Sequence, residues 1–368
     1  MSQTLTPELL DQSAGAIVEA LAARRASALE LTEAAIARIE ARDGPLNAVV
    51  VRDFDRARDA AREADAALAA GERRPLLGVP MTVKESNNVA GLRSCWGTPM
   101  FGDWRASTDA VAVARLKRAG AVILGKTNVP PFLSDWQSNN PIYGRTRNPW
   151  NLDRSPGGSS GGAAAAVAAG MVPLELGSDI GGSIRVPAAF CGIYGHKPSY
   201  GIVPTRGHQP PGIDGAAAPL AVVGPMARTA ADLDLAMDVL AGPDEDDAKG
   251  WTLVLPAPRH ARMADYRVLV LDRHPAAATD GEIRGAVDAL AGDLAKAGAT
   301  VARSSPLLPD LATLHATYGA MLNTVMTRGS PQPSPVDGHG WLGLLDAQLG
   351  LKRQWAALAE AFDVVIAP

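Results

Sequence analysis

PLLGVPMTVKES (residues 75–86) and AVILGKT (121–127) are short apolar runs without polar alternation, and the DAVAVARLKRAG between them repeats its apolar residues at helical spacing. A strand that is apolar on both faces has to be covered on both faces, as parallel strands joined by crossover helices are. VPLELGSD (172–179), YRVLVLD (266–272) and FDVVIAP (362–368) read as further buried strands. TAADLDLAMDVLAG and TDGEIRGAVDALAGDLAKAG read as helices, each closed by a glycine that can take the left-handed conformation at a helix end. Upstream, apolar residues keep helical spacing from Glu8 to Arg24 and from Ala28 to Glu40, and Arg52 to Ala70 reads as an exposed or one-sided helix. This alternation predicts an α/β fold, a central mixed β-sheet covered on both faces by α-helices. SPQPSPVDGHG (330–340) is Pro/Gly-rich and is expected to be a loop or mobile segment. No internal repeat is present. FDVVIAP reads as the start of a buried strand, so the sequence is expected to be incomplete at its C-terminal end.

With 368 residues, 47% of them hydrophobic, the chain can bury one large core or two domains. A net charge of −4 with 20% charged residues gives no electrostatic case for nucleic acid or a membrane surface. MSQTLTPELL lacks a basic segment followed by an apolar one, so no signal peptide is apparent, and no apolar run reaches membrane-span length. Two cysteines, Cys95 and Cys191, are too few for a disulfide framework or a thiolate metal site, although one disulfide between them stays open. A cytoplasmic enzyme is the expectation.

GAVILGKT (Gly120 to Thr127) matches the phosphate-loop pattern letter for letter. Such a loop has to follow a strand and open a helix, so that backbone N–H groups face the anion. Here the middle residues are themselves the strand, and Pro130 and Pro131 interrupt the chain just beyond it, where the helix would have to begin. Lys126 is expected to be a structural or solvated lysine at a strand end.

RSPGGSSGGAAAAVAAG (154–170) sets glycines around Ser159 and Ser160 just before a strong helix former, and LGSDIGGSIRVPAAFCG (176–192) holds a second glycine-flanked serine, Ser183. A flexible linker or an ordinary turn accounts for either segment alone. Together they also fit a place where backbone must approach a ligand closely. The N–H groups of Ile180, Gly181, Gly182 and Ser183 would then converge as an oxyanion hole on charge developing at a carbonyl. A serine nucleophile needs a base. None of the six histidines sits in a recognisable triad motif. A lysine can serve when burial disfavours its ammonium form, and Lys84, at the end of an apolar strand, meets that requirement.

GGSSGG, then LGSDIGGSIRVPAAFCGIYGHKPSYG, with LLGVPMTVKES, RLKRAGAVILGKTNVPPF and GRTRNPWN upstream, closely resemble the amidase signature family. The resemblance implies the amidase-signature fold as a single domain over 1–368: an N-terminal helical region 1–72, a signature core 73–206 and a remainder 207–368. It implies a Ser–cis-Ser–Lys triad with Ser183 as nucleophile, Ser159 as bridging serine and Lys84 as base, and a cis peptide between Gly158 and Ser159. Asp179 and Arg185 match positions that hold the nucleophile loop in shape, with Ser160 and Ser178 as hydrogen-bonding supports. Lys84-Glu85 departs mildly from the Lys-Asp often found in the family. The implied activity is hydrolysis of a small-molecule amide through a Ser183 acyl-enzyme, giving a carboxylate and ammonia or an amine, with no metal and no organic cofactor. Two alternatives stay open: an amidotransferase subunit releasing ammonia from glutamine, and a non-catalytic member of the fold. Trp96, Trp136 and Tyr143 are candidates for an apolar substrate wall or for ordinary packing, and the 207–216 loop is a further pocket candidate. The implied partner is a small amide, with neither nucleic acid nor membrane, and a homodimer is a possible assembly.

Overall fold

The computed structural model describes residues 6–213, 215–328 and 334–368. The chain divides into two compact units, Met1–Leu253 and Val254–Pro368.

The first unit begins with α1 (Thr6–Leu9), α2 (Ala14–Ala22) and α3 (Ala28–Leu46). The single helical pattern expected from Glu8 to Arg24 is therefore interrupted, because the Ser13 hydroxyl caps a fresh start by accepting from Ala16 N. Helix α3 opens on a reciprocal capping box between Ser27 and Glu30 and ends at Asn47 in the left-handed conformation. Then come β1 (Val49–Arg52), α4 (Phe54–Ala69), β2 (Pro80–Lys84), α5 (Val111–Arg118) and β3 (Val122–Thr127). A small hairpin, β4 (Asn139–Asn140) and β5 (Gly144–Arg145), precedes α6 (Gly161–Ala168), β6 (Leu174–Asp179), α7 (Arg185–Cys191), β7 (Tyr194–Gly195), β8 (Val222–Ala227) and α8 (Ala230–Leu240).

The main sheet has the order β1-β3-β2-β6-β8-β7. Strands β3, β2 and β6 run parallel, and β1, β8 and β7 pair antiparallel to their neighbours. Every residue of β2, β3, β6 and β8 is buried, so the sheet is covered on both faces, as the unbroken apolar runs require. Ile17, Leu31, Ile36, Leu76, Met81 and Leu116 belong to the core that joins the helices to the sheet. Two strands escape sequence patterning. Strand β1 is four residues long and runs almost directly into α4. Strand β8 contains Gly224 and Pro225, which ordinarily argue against a buried strand. Just past the β7 pairs with Ala227 and Met226, His196 N still donates to the Pro225 carbonyl at 3.0 Å, so the proline forgoes only the return N–H bond of that ladder.

The second unit holds a parallel sheet of order β10-β9-β11, formed by β9 (Arg267–Val270), β10 (Thr300–Ala302) and β11 (Val364–Ile366). Its helices are α9 (Gly281–Lys296), α10 (Leu311–Met326) and α11 (Gly338–Ala361), and Val268, Val270, Val287, Ala291 and Ala299 form its core. FDVVIAP does form a strand, but β11 is the sheet edge and only half-buried, with Val364 40% exposed. Of the expected loop over 330–340, residues 330–333 lie outside the described residues. The loop ends earlier than expected, because Asp337 caps α11 by accepting from Gly340 N at 2.7 Å. Cys95 and Cys191 are both free, so the disulfide left open above does not form.

Candidate active site

Parallel β2 and β6 end side by side, and open α/β sheets gather ligands outside the carboxyl ends of such strands. Strand β2 delivers Lys84 there and β6 delivers Ser178 and Asp179. Lys84 is fully buried, and its Nζ donates to Ser159 Oγ at 2.6 Å, to Ser178 Oγ at 2.9 Å and to the Ser178 carbonyl at 3.4 Å. Burial pushes its amine down to about 7, against the pull of the Asp179 and Glu175 carboxylates, so near neutral pH a large share of it is an uncharged base.

Ser159 reaches this amine from the turn before α6, through a cis Gly158–Ser159 peptide. At Gly158 a Cβ would stand 2.7 Å from Asp135 O and 2.8 Å from the Trp136 carbonyl carbon, so a side chain there would drive the turn away. Helix α6, all glycine, alanine and valine, lies behind it, buried from Gly161 to Val167. Ser160 ties the turn to the next loop: its N–H donates to Ser183 O at 3.1 Å and its hydroxyl donates to Ser178 O at 3.2 Å.

The loop carrying Ser183 is shaped by one carboxylate. Asp179 accepts from Gly182 N (2.8 Å), Ile184 N (3.0 Å) and Arg185 N (3.3 Å), and from Arg185 Nε and Nη2 at 3.0 and 2.9 Å. Burial pushes its carboxyl up, but the Arg185 guanidinium and these N–H donors outweigh burial and hold it below its ordinary value. Ser183 sits at the loop's turn, 5% exposed. Of the expected oxyanion donors, the Gly182 N–H is thus already directed at Asp179. The N–H groups of Gly181 and Ser183 have no acceptor among the described residues.

The three aromatic candidates separate. Trp136 borders the loop, donating from Nε1 to Gly181 O at 3.0 Å, and is 56% exposed. Trp96 is buried, with its ring 5.4 Å from that of His208. Tyr143 turns its hydroxyl to the Cys95 thiol, which donates to it at 3.4 Å, and to Glu85, with the Arg93 guanidinium over its ring, so its polar end is already occupied. His208, absent from the residues singled out by sequence except through the 207–216 loop, places Nε2 2.9 Å from Ser86 Oγ. Burial and then nearby Lys84 push its imidazole down to about 3, so it is a neutral group. Glu85 also carries more than sequence implied. Fully buried, it accepts from Cys95 N at 2.5 Å and Trp96 N at 3.0 Å, which pins the segment that bears Trp96.

Residues Val122–Thr127 of the phosphate-loop look-alike are β3 itself, and a short 3-10 turn at Pro131–Leu133 comes next, not a helix. Lys126 is structural and not solvated: fully buried, it donates to Arg93 O at 2.6 Å. Among the described residues no group of His, Cys, Asp and Glu side chains is arranged to hold a metal, and no helix is long and apolar enough to cross a membrane.

A buried amine bonded to a serine hydroxyl, beside a glycine-shaped loop bearing a second serine, on a mixed sheet of this order, defines a class of C–N bond hydrolases built on one fold. The amidase family model matches residues 30–330, and the chain belongs to that family. It is 47% identical over 251 residues to the A subunit of the glutamyl-tRNA(Gln) amidotransferase of Roseiflexus castenholzii, covering 68% of this chain and 50% of that one. It is 47% identical over 227 residues to the putative amidase AmiB2 of Mycobacterium bovis, covering 61% of this chain and 48% of that one. The chain therefore spans about half the length of these curated relatives. Its fold matches a bacterial aryl acylamidase of the amidase signature enzymes with a TM-score of 0.83 at 27% identity, over 97% of this chain and 79% of that one.

Proposed function

We propose that the chain is a cytoplasmic amidase that hydrolyses the C–N bond of a small-molecule amide through an acyl-enzyme on Ser183. The observation that carries this reading is the 2.6 Å contact between the buried Lys84 amine and Ser159 Oγ. With the amine uncharged, the same contact runs the other way: Ser159 gives its proton to Nζ and accepts one from Ser183, whose oxygen attacks the amide carbonyl. The oxyanion forms against the backbone N–H groups of Gly181 and Ser183, in a loop whose shape Asp179 and Arg185 set. The relay then returns its proton to the departing nitrogen, which leaves as ammonia or an amine. Water repeats the sequence on the acyl-enzyme and releases the carboxylate. Every proton in this cycle passes through Lys84, Ser159 and Ser183, so the chemistry calls on no cofactor. The exposed Trp136, with the tilted Trp96–His208 pair, supports an apolar acyl or aryl group as the substrate's acyl part. Ser183→Ala should abolish labelling by a fluorophosphonate probe and all amide hydrolysis while leaving the circular-dichroism spectrum unchanged. Labelling of the alanine variant at the wild-type rate would overturn the assignment.

A second reading is supported by the relatives that are amidotransferase A subunits. In it the same Ser183 acyl-enzyme forms on glutamine and the ammonia passes to a partner chain. Glutaminase activity that depends on a co-purifying second chain would favour this reading over the free-standing amidase, whose activity needs no such chain.

A further inference from the structure

Behind Lys84 lies a second buried ionisable group that the relay does not use. Glu175 stands on β6, paired in register with Thr82 of β2, two residues before Lys84 on the neighbouring strand. It is fully buried. One carboxyl oxygen accepts from Thr127 Oγ1 at 2.6 Å, and the other has no hydrogen-bond partner among the described residues. Thr127 is itself the residue of β3 that pairs with Lys84. The carboxyl and the amine are thus held by the same three adjacent strands, in a part of the sheet without water-facing surface. Fixed neighbours in such a place interact far more strongly than in water.

We propose that Glu175 is a positioning residue for the relay, acting on Lys84 through charge and not through contact: ionised, it holds the proton on the amine, and neutral, it leaves the amine free to accept from Ser159. The inference rests on the amidase reading given above. Burial pushes the Glu175 carboxyl up to about 8, opposed by the Thr127 hydroxyl and by the nearby amine, while burial brings Lys84 down to about 7. Two groups so placed titrate as a pair, in two macroscopic steps. The other charged or titratable groups around them are few. Asp179 of β6 also acts on Lys84 but is held by Arg185 of α7, and Lys197 lies near those two. His208 faces the amine as a neutral imidazole. Helix α6 contributes no charge, Asp43 of α3 is engaged by Arg52, and Lys126 of β3 faces Glu85. Glu175 is therefore the one carboxyl of this group, among the described residues, that lacks a cationic partner other than Lys84.

The test is the rate of Ser183 labelling by a fluorophosphonate probe against pH, for the wild-type chain, Glu175→Gln and Thr127→Val. Removing the ionisable carboxyl takes away the charge that favours the ammonium, so the acid limb of Glu175→Gln should move to lower pH by about 0.5–1 unit. Thr127→Val removes the donor that favours the Glu175 anion, so its limb should move the same way by less, and it decides the matter if the glutamine variant fails to fold. Limbs that coincide with wild type, or that move to higher pH, overturn the role of Glu175 alone. A wild-type chain that is not labelled at any pH overturns the nucleophile assignment itself, so the two failures are distinguishable.

Discussion

At the scale of single residues, the proposed relay turns on how one amine, that of Lys84, is kept uncharged. Its base form gains population as pH rises through about 7, so amide hydrolysis should fall away on the acid side of that value and not on the alkaline side. A pH–rate profile of kcat/KM checks the sign. Activity lost as pH rises, an alkaline limb in place of the acid one, would mean that Lys84 works from its charged form. Asp179 sets the neighbouring loop by a different physics, accepting three backbone N–H groups and a two-pronged guanidinium. Asp179→Asn keeps the shape but replaces one acceptor oxygen by a donor, so the Gly182 or the Ile184–Arg185 side of the loop must let go. Activity should drop by about 10²-fold, because small misplacement of reacting groups costs that much. Circular dichroism should show an unchanged fold, and Arg185→Lys, which loses the fork but keeps the charge, should show a milder loss.

At the scale of elements, helix α6 shows which parts of the fold could be read from sequence and which could not. Its composition announced close packing, yet only the structure says against what: at Gly162 a Cβ would run into the backbone N–H of Asn128, with Asn128 O and Ala48 O close behind. Glycine to alanine ordinarily stabilises a helix by up to about 1 kcal/mol in its interior and by less at its second residue, where Gly162 stands. Here the neighbours are backbone and cannot yield, so Gly162→Ala should instead destabilise by about 1–3 kcal/mol, as overpacked cores do. Urea denaturation reads the sign directly. The parallel strands β2, β3 and β6 were legible because burial on both faces leaves unbroken apolar runs. Strands β1 and β8 were not, the first being too short to carry a period and the second carrying Gly-Pro, which ordinarily marks a turn or an edge. Lys84, Ser159, Ser183 and Asp179 were legible from glycine-framed motifs and a resemblance. His208, Glu85 and Glu175 were not, since a single ionisable residue in an apolar run or a loop carries no signal until three-dimensional neighbours are known. The Tyr143 hydroxyl is engaged inside the protein by Cys95 and Glu85, contacts that no sequence pattern announces.

At the scale of the whole molecule, burying Lys84 has a consequence for the folded state that is separate from catalysis. In the unfolded chain this amine titrates near 10.5, and in the folded chain near 7. Between those values the unfolded amine binds a proton that the folded one does not, so the Lys84 contribution rises with pH across the window, opposed up to about pH 8 by Glu175, and below about pH 7 its full penalty is present. The shift corresponds to an order of magnitude of about 4–5 kcal/mol. Lys84→Met should therefore be inactive yet more stable than wild type at pH 6, by about 2 kcal/mol once the hydroxyls of Ser159 and Ser178 lose their partner. The gap in Tm should close as the buffer is raised toward pH 10, and a variant that melts below wild type at pH 6 would contradict the accounting. On the proposed reading, the amine that serves as base also holds the folded chain short of its thermal limit, and because Glu175 titrates at about 8 with the opposite sign, that penalty is relieved only in buffer more alkaline than pH 8.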